Sequence, residues 1–182
     1  KFNGDTIEGR QDVEIDEKIW DIKSASPYSF EKKFGEDGGF NEVVKDDTFG
    51  YASQGFLYGE SQKKNFGGWI VINKSTGEWV VCETPKLVEP YKSDAIKKAK
   101  DNVKAIKDGV PFKRQYDAIE ETFRGKPTGN KVLGLACSFC PYKLPCWGSK
   151  LQLLPQQQSK GKNPKWVWYT EVNNPKQEEA SA

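Results

Sequence analysis

The chain has 182 residues, a formal net charge of +2, four cysteines, and neither histidine nor methionine. Without histidine it holds no Ser–His–Asp or Cys–His catalytic pair and no histidine metal site, so any metal falls to carboxylates, carbonyls or thiolates. A charge so near balance confines a nucleic-acid surface to a local patch, and no apolar run approaches the length that spans a bilayer.

The first residues, Lys1 to Asp5, carry no signal-peptide pattern. Because the chain lacks methionine, Lys1 is not a natural start and an upstream segment is expected. From Gly9 to Lys23 the pattern predicts two strands joined by a tight turn at Asp16-Glu17. Val13 and Ile15 alternate with charges, and Ile19 and Ile22 flank the next acid. Residues two apart share a strand face, so Asp21 and Lys23 point together. Asp12 on the neighbouring strand can face Asp21 across the pair, and Glu14, two residues on, shares the face of Asp12.

Ser24 to Pro27 exits the strand, and Tyr28 to Phe34 is read as a short helix. Gly35 to Gly39 is a loop. Asp46, Asp47 and Thr48 are candidate caps for a helix to about Glu60, on which Gln54 and Tyr58 share a face. Gly50, Gly55 and Gly59 allow that helix to pack closely on a sheet or against a phosphate backbone. Trp69 to Ile72 and Trp79 to Cys82 form the clearest hairpin. Pro85 and Pro90 bracket a linker, and Ser93 is expected to cap a helix to about Lys107. Its apolar stripe is Ile96, Ala99, Val103 and Ile106. The opposite face carries Lys97, Lys98, Lys100, Lys104 and Lys107 and reads first as solvated, second as phosphate-contacting. Gln115 to Phe123 is read as a further short helix, Gly125 to Asn130 and Gln156 to Lys162 as loops, and Trp166 to Tyr169 as a last edge strand. Asn173 onward has the composition of a tail. The order strand, strand, helix, strand, strand, helix predicts an α/β or α+β fold, a mixed central sheet flanked by helices.

Three groups of residues carry chemistry. Asp12 and Asp21, with the carbonyl of Ile22 between the acid and the lysine, suit Mg²⁺ or Mn²⁺, and Lys23 beside them can orient water or stabilise a phosphorane. Gln54 and Tyr58 can offer neutral hydrogen bonds to phosphate or a base edge. Cys137, Cys140 and Cys146, spaced Cys-x2-Cys-x5-Cys, point to a metal or cluster in a reducing compartment. They supply three ligands where zinc or a [4Fe–4S] cluster takes four; the fourth falls to Cys82 or to the upstream segment.

In series, Gly9-x-x-Asp12, Asp21-x-Lys23, Gln54-x-x-x-Tyr58 and the cysteine run resemble the RecB-like branch of the PD-(D/E)XK nucleases. They resemble in particular its iron–sulfur members: the AddB nuclease domain, the CRISPR-adaptation nucleases and bacteriophage exonucleases. The resemblance implies a restriction-endonuclease-like core over residues 1–136, a cysteine-cluster segment over 137–170 and a flexible tail over 171–182. It implies that Asp12 and Asp21 bind metal, Lys23 is catalytic, Gln54 and Tyr58 steady the site and the DNA, and the cysteines hold a structural [4Fe–4S] cluster. The family's N-terminal helix, with its further acid and first cysteine, is missing here. The implied activity is a Mg²⁺- or Mn²⁺-dependent DNA exonuclease acting on linear DNA in replication, recombination or repair. Its setting would be the cytoplasm of a bacterium or phage-infected host, with DNA and other replication or recombination proteins as partners and no membrane. The alternative is a non-catalytic nucleic-acid-binding protein whose cysteines hold Zn²⁺.

Overall fold

The computed structural model describes residues 6–45, 47–111 and 113–175. The fold is mixed α/β, and the chain divides into two compact units, Lys1–Val110 and Pro111–Ala182. The boundary expected at residue 136 lies inside the second unit. Among the described residues no helix is long and apolar enough to cross a membrane.

The first unit is built on a four-stranded sheet of order β1-β2-β3-β4: β1 (Val13–Ile15), β2 (Lys18–Ala25), β3 (Asn65–Asn73) and β4 (Trp79–Glu83). β1 and β2 pair antiparallel, β2 and β3 parallel, β3 and β4 antiparallel. The β1–β2 turn is the expected Asp16-Glu17, and both residues take positive φ, 50° and 59°. That is the geometry of a two-residue hairpin whose turn follows the right-handed twist of its strands. The parallel β2–β3 pair requires a crossover. It is supplied by α1 (Pro27–Ser29), a π-helical turn (Phe30–Phe34), α2 (Phe40–Lys45) and α3 (Tyr51–Gln62).

One face of this sheet carries the core. Trp69 is fully buried, ringed by Phe34, Phe40 and Phe66 with centroids 6.1, 6.1 and 5.1 Å away. Gly55 lets α3 lie close on β3, since an added Cβ would sit 2.3 Å from the Phe66 ring. Asp47 caps α3 at a distance, accepting from the N–H groups of Ala52 and Ser53 at 3.0 Å. Asp46, the neighbouring candidate, lies outside the described residues.

Helix α4 (Tyr91–Lys107) closes the first unit. Ser93 is not its cap: it lies in the first turn, and the Glu89 carboxylate accepts from the Ser93 N–H at 3.2 Å. Of the expected stripe Ala99 is buried, but Ile106 is 64 % exposed and Ala95 takes a core place instead. Lys97 pairs with Asp101 at 2.7 Å and Lys104 with Asp108, so the lysine face is laced with its own acids.

The second unit holds a sheet of order β5-β6-β8-β7: β5 (Ile119–Phe123), β6 (Lys126–Val132), β7 (Gln152–Pro155) and β8 (Trp166–Glu171). Three expectations are corrected here. Gln115 to Phe123 is not a helix: its second half is β5, because Glu121 is drawn inward by hydrogen bonds while Glu120 and Thr122 flank it. Gly125 to Asn130 is not a loop: Arg124 and Gly125 take positive φ, complete the turn in two residues, and leave Lys126 to start β6. Trp166 to Tyr169 is an inner strand, paired with β7 on one side and β6 on the other. Asn173 and Asn174, read from the sequence as the start of a tail, donate backbone N–H groups to Asn130 Oδ1 at 2.9 and 2.8 Å.

Candidate active site

The β1–β2 ladder ends at the Val13–Trp20 pair, so Ile22 has no partner residue on β1. Its N–H donates instead to Asp12 Oδ2 at 2.8 Å, which fixes the Asp12 carboxylate at the open end of the hairpin. A strand residue projects its N–H and C=O to the same side. The Ile22 carbonyl therefore faces the same edge as Asp12.

On β2 the alternation works as expected. Ile19, Asp21, Lys23 and Ala25 turn toward α3, and Asp21 is 1 % exposed. Lys23 Nζ stands 2.7 Å from Asp21 Oδ2 as an ion pair. The approach is off the hydrogen-bonding direction, so Asp21 Oδ2 is a buried carboxylate oxygen without a hydrogen-bond donor. Burial pushes the Asp21 carboxyl above the ordinary carboxylate range; Lys23 opposes that shift and the nearby Asp12 carboxylate adds to it.

Helix α3 brings the remaining residues. Lys23 Nζ donates to Gln54 Oε1 at 3.2 Å, and Gln54 Nε2 donates to the Tyr58 hydroxyl at 3.0 Å. Gly9 closes the circuit, since its backbone passes so near Tyr58 that a Cβ would lie 2.6 Å from Cε1. Asp12, Asp21, Lys23, Gln54 and Tyr58 thus form one connected group, with Ile22 at its edge. Glu14 is not part of it: it pairs with Lys64.

Tyr51 also belongs to this group and was not singled out by the sequence reading. Its ring lies 5.1 Å from Lys23 Nζ, with Lys33 Nζ 5.6 Å away. The signal was present, because Tyr51, Gln54 and Tyr58 follow the i, i+3, i+7 spacing of one helix face.

A hard divalent cation fits this set. Two close carboxylates, one with an oxygen lacking a donor, and a strand-edge carbonyl are oxygen ligands of the kind Mg²⁺ or Mn²⁺ takes. A cation there would relieve the burial that raises Asp21.

In the second unit the cysteine run spans α5 (Leu135–Phe139) and α6 (Lys143–Trp147). Cys137 and Cys140 are half-buried and Cys146 is exposed. Burial raises the Cys137 thiol, and the charges of Cys140 and Cys146 raise it further, so the three sulfurs feel one another. Among the described residues, however, no set of three or more His, Cys, Asp or Glu side chains is gathered to hold a metal ion. The thiols suit a soft metal or cluster by type. Cys82 is a core residue of the first unit, its thiol pushed up by burial to about 11. That is the environment of an inert buried thiol.

Comparison with known proteins returned no matching family model, no similar curated protein and no similar solved structure.

Proposed function

We propose that the first unit is the catalytic part of a metal-dependent deoxyribonuclease, an exonuclease acting on linear DNA in replication, recombination or repair in a bacterial or phage setting. One observation carries this reading. Residues from the β1–β2 hairpin and from α3 converge on a buried carboxylate, and they are the residues the nuclease resemblance names. A mixed sheet with α3 lying on it is consistent with a restriction-endonuclease-like core.

Asp12 and Asp21 would hold Mg²⁺ or Mn²⁺, with the Ile22 carbonyl as a further oxygen donor. The cation, when bound, supplies neutralising charge at the scissile phosphate. The chain's own groups do the rest. Lys23 presents an ammonium where negative charge grows on the phosphate oxygens and lowers its energy there. Gln54 accepts from that ammonium and fixes its direction, Tyr58 fixes the Gln54 amide, and Tyr51 supplies a ring face beside the lysine. Burial of Asp21 keeps water from screening these charges. In the same reading Cys137, Cys140 and Cys146 contribute three ligands to a [4Fe–4S] cluster, or to zinc, with a structural role.

The test uses end-labelled linear DNA and a closed circle, with Mg²⁺, Mn²⁺ or EDTA, and compares the protein with a folded Lys23→Gln variant. Loss of linear DNA that EDTA and the variant both abolish, with the circle intact, supports the proposal. DNA retained on the protein but uncut under every metal overturns it in favour of a binding protein.

A further inference from the structure

The first sheet has a second polar feature, away from the acids. At the end where β2 and β3 begin and β4 ends, a cavity of about 230 Å³ opens between the sheet, the C-terminal turns of α3 and the first turn of α4. Lys18, Lys64, Lys86 and Lys92 line it over a floor that includes Phe56 and Phe66, and no carboxylate is among its lining residues. Two of the lysines are neutralised from outside the cavity: Lys64 pairs with Glu14, and Lys92 with Glu60 at 3.3 Å. Lys18 and Lys86 have no carboxylate partner among the described residues and are exposed. Lys18 and Lys86 therefore bring two ammonium charges that no lining carboxylate offsets. In the first turn of α4 the N–H groups of Lys92, Ser93 and Asp94 are already used, by Val88 O, the Glu89 carboxylate and Pro90 O. A ligand would meet ammonium groups rather than helix backbone.

We infer that this cavity is a binding site for a phosphate group. Two lysines without a carboxylate partner, Lys18 and Lys86, beside two whose ammonium groups are already paired, suit a phosphate. The volume decides the ligand's size. Pockets that enclose a whole small molecule run from roughly 300 Å³ upward, so this one takes a single phosphate and leaves whatever bears it outside. Lys18 lies three residues before Asp21 on β2, about 10 Å at the usual strand rise. A backbone phosphate of a bound strand and the phosphate of a small free compound share this chemistry.

Binding is read by calorimetry with inorganic phosphate in EDTA at constant ionic strength, without turnover. Failure of this site leaves the nuclease reading standing, and an inactive nuclease leaves this site standing. The proteins are wild type, the double variant Lys18→Gln/Lys86→Gln, which breaks no ion pair, and a control, Lys160→Gln/Lys162→Gln, in an exposed loop of the second unit. Saturable one-site binding by wild type and control, weakened at least tenfold in the Lys18/Lys86 variant, is the expected result. No saturable binding by wild type, or equal affinity in the two double variants, overturns the site. A short single-stranded oligonucleotide is then added: displacement of phosphate assigns the site to a strand, and retention assigns it to a small free phosphate compound.

Discussion

Lys23 on β2 and Gln54 on α3 stand 31 residues apart in the chain and meet at 3.2 Å, the lysine donating to the amide oxygen. The bond ties the sheet to the helix at the point where the acids gather. Gln54→Met keeps about the length of the side chain but removes the amide acceptor. Lys23 would then lose its direction without losing its charge. Single-turnover cleavage should fall about a hundredfold, the scale expected when a catalytic group is misplaced by about an ångström. Tyr58→Phe removes only the hydroxyl that steadies Gln54, so its loss should be smaller, about tenfold, and leave DNA affinity unchanged.

Asp21 is held in its charged form at a cost. Its carboxyl binds a proton more tightly in the folded chain than at its ordinary value of 3.8. The contribution of Asp21 to the stability of the metal-free protein is therefore full below that value and falls as pH rises from it through the raised folded value. Asp21→Asn removes the charge. At pH 7 without metal the variant should melt no lower than wild type, while cleavage is lost. Mn²⁺ should raise the melting temperature of wild type and leave that of the variant unmoved. Paired thermal melts with and without Mn²⁺ check both halves.

The Asp16-Glu17 turn places two residues with side chains at positive φ. Each carries a penalty of about 1 kcal/mol that glycine does not. Glu17→Gly should stabilise the first unit by about 1 kcal/mol in urea unfolding, with cleavage unchanged, because the substitution lies at the closed end of the hairpin.

The second unit has its own titrating centre. Glu121, 3 % exposed, accepts from the Tyr169 hydroxyl at 2.6 Å, from Asn130 at 3.0 Å and from Thr128 at 2.9 Å. Burial alone would raise its carboxyl, but these donors outweigh it and hold it below the ordinary value of 4.5. Its contribution is present above that value and disappears as pH falls through the lowered one. Tyr169 is pushed up to about 12 by burial and then by Glu121, so between its ordinary value of 10 and about 12 stability falls as pH rises. Tyr169→Phe should cost the second unit about 1–3 kcal/mol at pH 7, since a buried carboxylate oxygen loses its donor. It should also flatten the alkaline limb. Urea midpoints at pH 4, 7 and 10.5 measure both effects.

Local pattern made the first unit largely legible. Alternation around Asp21 and the helix spacing of Gln54 and Tyr58 fixed which side chains share a face, and those faces turn toward each other in the fold. The second unit was less legible because its signals are long-range. Glu121 looks like a solvated helix residue until Asn130 and Tyr169 arrive from β6 and β8 to bury it. The Ser93 cap failed for a related reason, since the helix starts two residues earlier, at Tyr91, and a glutamate four residues before Ser93 accepts from the Ser93 N–H. Tyr51 was missed because its aromatic ring reads as core until a lysine is seen above it.

Gly55 has a consequence beyond helix packing. The ring of Phe66 fills the space its side chain would occupy, and that ring in turn abuts Trp69. Gln54 is the adjacent residue. The thickness of one phenyl ring therefore sets how far the amide reaches toward Lys23, and the hydrophobic interior acts as a spacer for the polar cluster. Sequence drift at Phe66 would be limited by that reach more tightly than by volume: a residue of similar size but different outline could preserve folding and still detune the site.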